Sequence, residues 1–378
     1  MVTAGTSSPV RVPLPKIIAF LLPQFHPIPE NDVWWGEGFT EWTNVRKARP
    51  LYRGHLQPRV PANDRYYDLL DPATQDWQAQ IARQHGVHGF CYYHYWFKGK
   101  QLLEKPLDLL LSRGQPDFPF CLCWANEPWT RAWDGGDREV LMPQEYGVER
   151  DWEAHFEYLL RAFKDPRYIR VDGKPMILVY RSANIDVREP MFALWRKLAE
   201  RAGFPGLHLV SMLTGFAPDP QPIFDAYAEY EPAYTYTHRR PYLLRKRERW
   251  IRQFTQFSWR WFGTAGRAPN SYDYGALWRA IANRVLPPNT YPGAFVDWDN
   301  SARRGLHRSL VMRNFDPAAF ERGIRAQLKK GSETGAEFLF INAWNEWAEG
   351  AYLEPDEARG FFFLEAIRRA LSDVRAPS

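Results

Sequence analysis

The sequence predicts a single (β/α)8 barrel, in which eight parallel strands alternate with helices around a closed sheet. Eight short apolar runs are separated by helix-like segments, a pattern typical of parallel strands joined by crossover helices. Eight is also the number of strands that closes such a barrel. A doubly wound open sheet is the rival, but it would carry a glycine-rich phosphate turn after an early strand. The sequence has no such turn, so the barrel is the predicted fold.

The elements are predicted in order from the apolar and helix-like segments. The strand-like runs are KIIAFLLPQFHP (16–27), VHGFCYYHYWF (87–97), PFCLCWANEPW (119–129), KPMILVYR (174–181), LHLVSMLT (207–214), FDAYAEYEPAY (224–234), YPGAFVDWDN (291–300) and the run that begins at Phe338. The helix-like segments are 72–86, 150–164, 189–202, 272–286, 316–330 and 357–371. The long loop at 27–52 is rich in Gly, Pro and Trp, and we predict that it is not helical. Long loops inside compact domains usually carry function.

Composition indicates a groove lined with aromatic rings. Aromatic residues make up 16% of the chain, with 17 tryptophans and 19 tyrosines, which is more than a core needs. The formal net charge of +5 comes mostly from scattered arginines and does not indicate nucleic-acid binding. Residues 1–15 are predicted to be a flexible tail, and residues 16–378 one catalytic domain.

Three features predict a soluble, cytoplasmic protein. Cys91, Cys121 and Cys123 lie in or beside apolar runs, which is typical of reduced, buried thiols. The N-terminal stretch MVTAGTSSPVRVPLPK has no apolar signal-peptide region. No uninterrupted apolar segment is long enough to cross a bilayer.

The stretch EFLFINAWNEWAEGAYLE at 337–354 carries the strongest chemical signal. An apolar run is followed at once by Glu346 and Glu349, two carboxyl groups three residues apart. Charged residues are seldom fully buried without partners, and tryptophan faces commonly support sugar rings. We therefore predict that the pair shares acid and base work on a glycosidic bond. The alternative is a strand end whose glutamates cap the next helix and pair with surface arginines.

The spacing of the two glutamates predicts a short distance between them. One helical turn would place their Cβ atoms ~5–6 Å apart, which suits retaining better than inverting chemistry. Each negative charge also raises the pKa of its partner, so that one carboxyl group can stay protonated near neutrality. We expect both groups to face an aromatic-walled hollow. If the carboxyl oxygens faced away from any hollow, or were locked in arginine bridges beneath the surface, this interpretation would be overturned.

Polar and aromatic residues collect where the predicted strands end. Because the carboxyl ends of barrel strands meet at the face that holds active sites, we expect these residues to form one substrate site. The predicted contacts at strand ends are Gln24, His26, Tyr93, His94, Trp96, Trp124, Asn126, Glu127, Trp129, Tyr230, Glu231, Asp297, Asp299, Asn345 and Trp347. The first long loop adds Trp34, Trp35, Glu37, Glu41 and Trp42 as a wall of a glycan groove, unless it merely folds over the barrel mouth.

Four segments of the chain resemble a known family. LPQFHPIPENDVWWGEGFTEWTNV, GFCYYHYWF, FCLCWANEPWTRAWDG and FINAWNEWAEGAYLEPD together resemble the WbsX-like proteins, described as glycosyltransferases of O-antigen and other bacterial polysaccharide loci. That family is similar to glycoside hydrolase family 99, the endo-α-mannosidases. The resemblance covers residues 16–371. It implies retaining, metal-independent chemistry on a (β/α)8 barrel, without a cofactor.

The resemblance also implies a role for each glutamate. The catalytic stretch of family 99 reads Asn-Glu-Trp-x-Glu-Gly, which matches residues 345–350. Glu346 would deprotonate the sugar 2-hydroxyl, whose oxygen attacks the anomeric carbon to give a 1,2-anhydro sugar. Glu349 would protonate the leaving oxygen and later activate water or an alcohol. Ala348 departs from the larger polar residue common in family 99, which leaves the substrate open.

Several of the candidate residues have a second interpretation. Glu127 follows Asn126 as the acid of many barrel glycosidases does, but we interpret it as a sugar-hydroxyl ligand or a structural group. Asp297-Trp298-Asp299 matches the D-x-D pattern of metal-dependent transferases, a weak signal, and we predict hydroxyl binding and no metal. His26 and His94 are candidates for sugar contact, with core histidines bonded to the backbone as the alternative.

The basic aromatic segment at 239–262 also has two interpretations. It can dock on an anionic membrane face where lipid-linked glycans are made. An outer barrel helix with exposed arginines and inward rings explains the same pattern.

The sequence therefore predicts a carbohydrate-active enzyme. The preferred function is a retaining glycoside hydrolase acting on an α-linked, mannose- or rhamnose-like bacterial polysaccharide. The alternative is a glycosyltransferase of O-antigen or lipopolysaccharide biosynthesis, although the chain has no P-loop and no dinucleotide turn. An inactive glycan-binding barrel is disfavoured because both glutamates are present.

Overall fold

The computed structural model describes residues 13–131, 136–216, 221–238, 250 and 271–375. Within these residues, nine parallel strands form one nearly closed barrel with helices between them. The strands are β1 (Lys16–Leu21), β2 (Val87–Phe97), β3 (Phe120–Trp124), β4 (Lys174–Val179), β5 (His208–Leu213), β6 (Ala226–Glu229), β7 (Thr290–Tyr291), β8 (Gly293–Phe295) and β9 (Phe338–Asn342). Their order in the sheet is β7-β6-β5-β4-β3-β2-β1-β9-β8. The predicted barrel is confirmed.

Strands β7 and β8 together fill the seventh position of the barrel. Pro292 alone separates them, and a proline has no N–H for the sheet ladder. β7 pairs with β6, and β8 pairs with β9, so the interrupted strand links the two ends of the sheet. Gly293 is required at this point because a β-carbon would collide with the backbone of Glu229.

The helices pack outside the sheet or cover its carboxyl face. They are α1 (Pro29–Trp35), α2 (Glu41–Lys47), α3 (Pro72–Gln84), α4 (Lys105–Arg113), α5 (Glu149–Phe163), α6 (Arg188–Arg201), α7 (Ala233–His238), α8 (Tyr274–Asn283), α9 (Ser301–Arg308), α10 (Pro317–Thr334) and α11 (Phe362–Arg375). The six predicted helix-like segments correspond to α3, α5, α6, α8, α10 and α11, whereas α4, α7 and α9 were not predicted.

The prediction that the loop at 27–52 is not helical is wrong. It contains α1 and α2, which Gly36 and Gly38 separate. Pro29 starts α1 at a position where its fixed φ suits a helix and its missing N–H costs nothing. At the start of α2, the Thr40 N–H donates to the Thr43 hydroxyl (3.3 Å). Local capping thus outweighs the unfavourable composition of this loop.

Eight short strands and three 3-10 turns lie outside the nine strands of the barrel in the described residues. The strands are Lys100–Leu102, Trp129–Arg131, Gly136–Met142, Arg170–Val171, Ser271–Asp273, Val311–Arg313, Asn345–Glu346 and Ala351–Tyr352. Single 3-10 turns cover Ala62–Asp64, Ser182–Asn184 and Trp347–Glu349. The end of the predicted sixth run is helical (α7), and the seventh run leaves the sheet after β8.

The barrel interior is filled by side chains and forms a floor beneath the carboxyl face. The Phe20 ring lies 5.6 Å from those of Tyr93 and Phe340 and 5.5 Å from that of Tyr230. The three cysteines are buried and unpaired. The interior is thus a packed core, as expected for a barrel of this size.

The described ranges contain no helix long and apolar enough to cross a membrane. Residues 1–12 of the predicted tail lie outside the described residues. So do 239–249 and 251–262 of the predicted membrane-docking segment.

Candidate active site

The predicted acid pair lies on one tight turn after β9. Glu346 ends a two-residue strand, and residues 347–349 form a single 3-10 turn. Side chains three residues apart eclipse each other in this geometry. Gly350 ends the turn with a φ of 65°, a left-handed conformation that favours glycine. The turn thus directs both carboxyl groups to the same place.

Both carboxyl groups contact one guanidinium, that of Arg303 on α9. Its Nη1 donates to Glu349 Oε1 (2.6 Å), and its Nη2 donates to Glu346 Oε2 (2.9 Å). Its Nε and Nη2 also donate to Glu41 Oε1, at 2.9 and 2.6 Å. The exposed fraction of the side chain is 10% for Arg303, 7% for Glu346, 18% for Glu349 and zero for Glu41. Three carboxyl groups therefore converge on one cation.

The expectation that no arginine bridges the acid pair is wrong. Three buried carboxyl groups at one point repel each other, and a buried charge without a partner is costly. Arg303 offsets part of this repulsion, yet three potential anions still face one cation. Glu349, the most exposed of the four side chains, remains open to solvent. The arginine thus neutralises the cluster in part without sealing it.

The cluster changes the protonation of Glu346. Burial raises the pKa of Glu346 to about 8, Arg303 opposes this shift, and Glu349 and Glu41 add to it. Burial also raises the pKa of Glu41. Glu346 therefore holds a proton at neutral pH in the unliganded protein. This is the resting state of an acid, whereas the resemblance implies a base at this position.

Tyrosines from the barrel interior surround Glu346. The hydroxyls of Tyr93 and Tyr230 share a hydrogen bond (2.9 Å). Burial, together with the charge of Glu346, raises the pKa of Tyr93, Tyr95 and Tyr230. These phenols therefore stay protonated, and they can donate hydrogen bonds to substrate oxygens.

A second group of side chains lies towards Glu349. Burial raises the pKa of Tyr180 and Tyr236, and the charge of Glu349 adds to the shift in both. Glu127 forms an ion pair with Arg181. Burial raises the pKa of Glu127, Arg181 opposes this, and Glu349 adds to it. The structure thus brings Glu127 within electrostatic reach of the acid pair.

Half-buried tryptophans pack against Tyr95, which lies within electrostatic reach of Glu346. The rings of Trp34 and Trp129 meet edge to face at 5.8 Å, and Trp129 meets Tyr95 at 5.2 Å. Trp35 is also half-buried on α1, whereas Glu37 is exposed beyond the end of that helix. Trp34 and Trp129 are therefore connected to the site through Tyr95.

The tryptophan within the acid turn packs inward, contrary to the expectation that it faces sugar. Trp347 is 1% exposed, stacks on Tyr352 at 3.8 Å and lies 5.4 Å from Trp42. Its Nε1 donates to Glu354 (2.7 Å), a buried carboxyl group that also accepts from Tyr67 (2.9 Å). Trp42 and Trp347 thus anchor the turn from behind.

Two predicted asparagines fasten strand ends to each other. Asn126 donates to the Arg181 carbonyl (3.0 Å) and accepts from the Arg181 N–H (2.8 Å). Asn345 makes the same pair of bonds with Leu22, at 3.0 and 2.7 Å. Both amides are fully buried, so they position the site instead of lining it.

Three predicted contacts lie between the sheet and α5, away from the acid pair. His94 Nε2 is 2.8 Å from His155 Nε2, and the rings of Trp96 and Trp124 lie 4.6 and 4.7 Å from that of His155. Burial lowers the pKa of His94 to about 3. Successive strand residues point to opposite faces. Because Tyr93 faces inward, His94 and Trp96 face the helices.

Gln24, His26 and Glu231 are also held in packing. The His26 Nδ1 donates to the Pro23 carbonyl (3.1 Å), and burial lowers the pKa of His26 to about 4. Glu231 accepts from Arg284 (2.7 Å). Gln24 is 3% exposed. Among the described residues, no hydrogen bond or ion pair connects these three side chains to Glu346 or Glu349, although the Gln24 carbonyl accepts from the Glu41 N–H (2.9 Å).

Asp297 and Asp299 lie beside the acid turn but are engaged with cations. Asp297 pairs with Arg59 (3.2 Å) and Asp299 with His55 (2.8 Å). The Asp299 N–H donates to the Glu349 carbonyl (2.6 Å). Among the described residues, no three His, Cys, Asp or Glu side chains are grouped as metal ligands.

Sequence reasoning missed Arg303, Tyr180, Arg181 and Tyr236. Tyr180 and Arg181 follow β4 directly, so the strand-end criterion finds them once it is applied to that strand. Arg303 lies in the first turn of α9 and has no comparable local signal. Its role depends on a contact with residues more than 40 positions away.

Comparisons with known proteins agree with this architecture. The model of the family described as Glycosyltransferase WbsX matches residues 17–367. Two curated relatives, both described as "Uncharacterized protein WxcX", come from Xanthomonas campestris pv. campestris strains B100 and ATCC 33913. They are 38% and 39% identical over 98% and 96% of this chain. These matches cover 51% and 50% of the relatives, so the chain spans about half the length of the curated relatives it matches.

Solved structures share the fold at low sequence identity. A GH99 endo-alpha-mannosidase from Bacteroides thetaiotaomicron has a TM-score of 0.52 and 14% identity, over 95% of this chain and 97% of that one. A structure described as a glycoside hydrolase-like protein has a TM-score of 0.57 and 13% identity, over 97% of each chain. At these identities, the likeness shows the fold alone.

Proposed function

Since the chain belongs to the WbsX glycosyltransferase family, we propose that it is a glycan-processing enzyme that cleaves an α-linked glycosidic bond with retention. Glu346 and Glu349 are its acid pair. The observation that carries this proposal is the convergence of both carboxyl groups on adjacent nitrogens of Arg303. Two oxygens held in this way are only a few ångströms apart, which suits retaining chemistry better than inverting chemistry.

The charge of the cluster favours a neutral glycoside over a nucleotide-sugar donor. Glu41, Glu346 and Glu349 outnumber Arg303 at the point where the reacting bond would lie. Among the described residues, the diphosphate of a nucleotide sugar would meet three carboxyl groups and one guanidinium here, and each carboxyl group that is ionised would repel it. A glycosidic oxygen carries no such charge. Hydrolysis, or transfer between glycans, is therefore the preferred reaction.

The proposed roles are a base for Glu346 and an acid for Glu349. A carboxyl group with a pKa of about 8 is a strong base once ionised, and about one tenth of it is ionised at pH 7. If Glu346 is the base, kcat/KM rises with pH until about 8. If Glu346 is instead the acid, kcat/KM falls above the same pH.

The proposed substrate is a bacterial polysaccharide with mannose- or rhamnose-like α-linkages. The solved neighbour that shares the barrel is described as an endo-alpha-mannosidase, and the WbsX family supports a polysaccharide. The family description, Glycosyltransferase WbsX, also supports a second candidate, a glycosyltransferase. We propose O-antigen or lipopolysaccharide biosynthesis as its setting.

One experiment separates the two candidates. The protein is incubated with α-mannans, rhamnans and O-antigen polysaccharides, and new reducing ends are measured. In parallel, thermal shifts are recorded with a panel of nucleotide sugars. Cleavage without stabilisation by nucleotide sugars supports the hydrolase. Stabilisation by a nucleotide sugar without any cleavage contradicts the hydrolase and supports the transferase.

A further inference from the structure

A pocket lies next to the acid turn. Its volume is about 340 Å³, and it lies between residues 52–59, which follow α2, the segment that follows β8 and the short strands Ser271–Asp273 and Val311–Arg313. Its polar lining includes Tyr52, His55, Arg59, Asp297, Arg313 and Arg359. The backbone bond from the Asp299 N–H to the Glu349 carbonyl (2.6 Å) links this pocket to the acid pair.

The two aspartates of the pocket have their oxygens occupied by donors. Asp297 Oδ2 accepts from Arg59 (3.2 Å) and Arg359 (3.1 Å), and its Oδ1 accepts from the Trp298 N–H (2.8 Å). Asp299 Oδ2 accepts from His55 and Gln57, both at 2.8 Å. These carboxylates therefore fix the surrounding cations in place and have little acceptor capacity left for a ligand.

Arg59 keeps donors that the protein does not use. It is 5% exposed, and only its Nη2 donates to Asp297. Its Nε and Nη1 are buried without a hydrogen-bond partner among the described residues. The Tyr352 hydroxyl beside it donates its hydrogen to Asp356 (2.6 Å), and its oxygen accepts from the Arg59 guanidinium. Arg59 still has more N–H groups than Asp297 and Tyr352 accept, and because unsatisfied buried donors are costly, the remaining donors point to an acceptor supplied by a ligand.

The remaining lining also supplies positive charge. Arg359 lies over the Phe315 ring at 4.1 Å, which holds its guanidinium plane fixed, and Arg313 is half-buried at the rim. Among the side chains that line the pocket, three guanidinium groups thus face two occupied carboxylates, while Asp273 lies within electrostatic reach of Arg313 outside the lining. The surplus is cationic, and the guanidinium fork matches planar or tetrahedral oxyanions.

We propose that this pocket binds one oxyanion of the substrate, a sugar carboxylate or a phosphate ester. The inference rests on the proposed function, because the anion would belong to a residue of the same glycan whose linkage lies at the acid pair. The volume matches the lower end of ligand pockets and accommodates one sugar residue. The substrate class is therefore a polysaccharide in which the cleaved α-linkage is uncharged and a neighbouring residue carries the anion.

The test measures binding, so it does not depend on catalysis. Titration calorimetry with glucuronate, inorganic phosphate and neutral glucose is run on the wild type and on the Arg59→Lys and Arg313→Met variants. Arg322→Met, an exposed arginine on α10, is the control. We expect glucuronate or phosphate to bind the wild type and the control, with at least a tenfold loss in both pocket variants. Glucose is expected not to bind.

The two sources of the anion are distinguished by which probe binds more tightly. If glucuronate binds more tightly than phosphate, the anion belongs to an acidic sugar. If phosphate binds more tightly than glucuronate, it belongs to a phosphorylated glycan. Binding of neither anion, or equal affinity in the wild type and both pocket variants, overturns the proposal. The Glu346→Gln variant should retain anion binding, so failure of the pocket and failure of the acid pair give different results.

Discussion

Replacing Arg303 by methionine removes the cation that contacts both members of the acid pair in the described part of the chain. The Nη2–Oε2 distance to Glu346 is 2.9 Å, and the two charge centres lie about 4 Å apart, which corresponds to about 4 kcal/mol at an effective dielectric constant of 20. Since one pKa unit equals about 1.4 kcal/mol, the upper limit of the effect is about three units. The pKa of Glu346, already raised to about 8, would then leave the usual assay range.

Arg303→Met should therefore lower activity at pH 7 by at least tenfold and move the optimum to higher pH. Arg303→Lys keeps the charge but loses the fork that spans Glu346 and Glu349. The activity of Arg303→Lys should fall, while its pH optimum should stay within about one unit of the wild-type optimum. Both variants are compared from pH 5 to 10 by release of reducing ends, with Arg322→Met as the surface control. A wild-type profile in Arg303→Met would refute the reasoning.

The remaining predictions concern stability. Gly350→Ala should lower the free energy of unfolding by about 2–4 kcal/mol, because φ is +65° and the new β-carbon would lie 3.0 Å from that of Asp299. Gly335→Ala, with a φ of +71° and open space, should cost only about 1 kcal/mol, and equal losses in urea unfolding would argue against crowding at Gly350. His26 and His94, whose pKa values fall to about 4 and about 3, are neutral in the fold but titrate near 6.5 when unfolded. The unfolded chain thus binds more protons, and each histidine should reduce stability by up to about 1.4 kcal/mol per pH unit as pH falls below 6.5. Glu346 and Glu354, whose pKa values are raised to about 8 and about 7, bind protons in the fold over the same pH range and oppose this effect. The test therefore compares unfolding free energies from pH 6.5 to pH 5 for the wild type and for His26→Gln and His94→Gln, and an identical pH dependence in all three would contradict this account of the histidines. Glu354→Gln should cost about 1–3 kcal/mol, since its new amide would face groups that donate to the carboxylate, and an unchanged melting temperature would contradict this.

The fold could be predicted because each barrel strand leaves a local pattern. A strand buried on both faces is a short apolar run, and all eight predicted runs lie in the barrel. The two helices at 29–35 and 41–47 were harder to predict, because their starts depend on single hydrogen bonds and on Pro29. Composition alone misassigned them.

The site could be predicted only to the level of the strand ends. The sequence identifies which residues follow a strand, but not which of them face inward. In β2, Tyr93 reaches Tyr230 inside the barrel, while His94 and Trp96 pack on α5. Arg303 could not be found, because its significance arises from a three-dimensional contact with glutamates of two distant segments.

The high aromatic content of the sequence was also an incomplete guide to which rings line the site. Trp347 lies between the two glutamates in sequence, yet its ring is covered by Tyr352 and Trp42. A large ring next to two carboxyl groups is needed to hold a tight turn rigid, and this structural demand explains its burial. Trp34 and Trp129, farther away in sequence, remain half-buried near Tyr95.

The most direct measurement is the release of reducing ends from an α-linked polysaccharide that the wild type cleaves, by Glu346→Gln, Glu349→Gln and the exposed control Glu333→Gln. The first two variants should fold normally, as shown by unchanged circular dichroism, and should lose most activity, while the control keeps it. Turnover at the wild-type rate by either Glu346→Gln or Glu349→Gln would contradict the assignment of the acid pair.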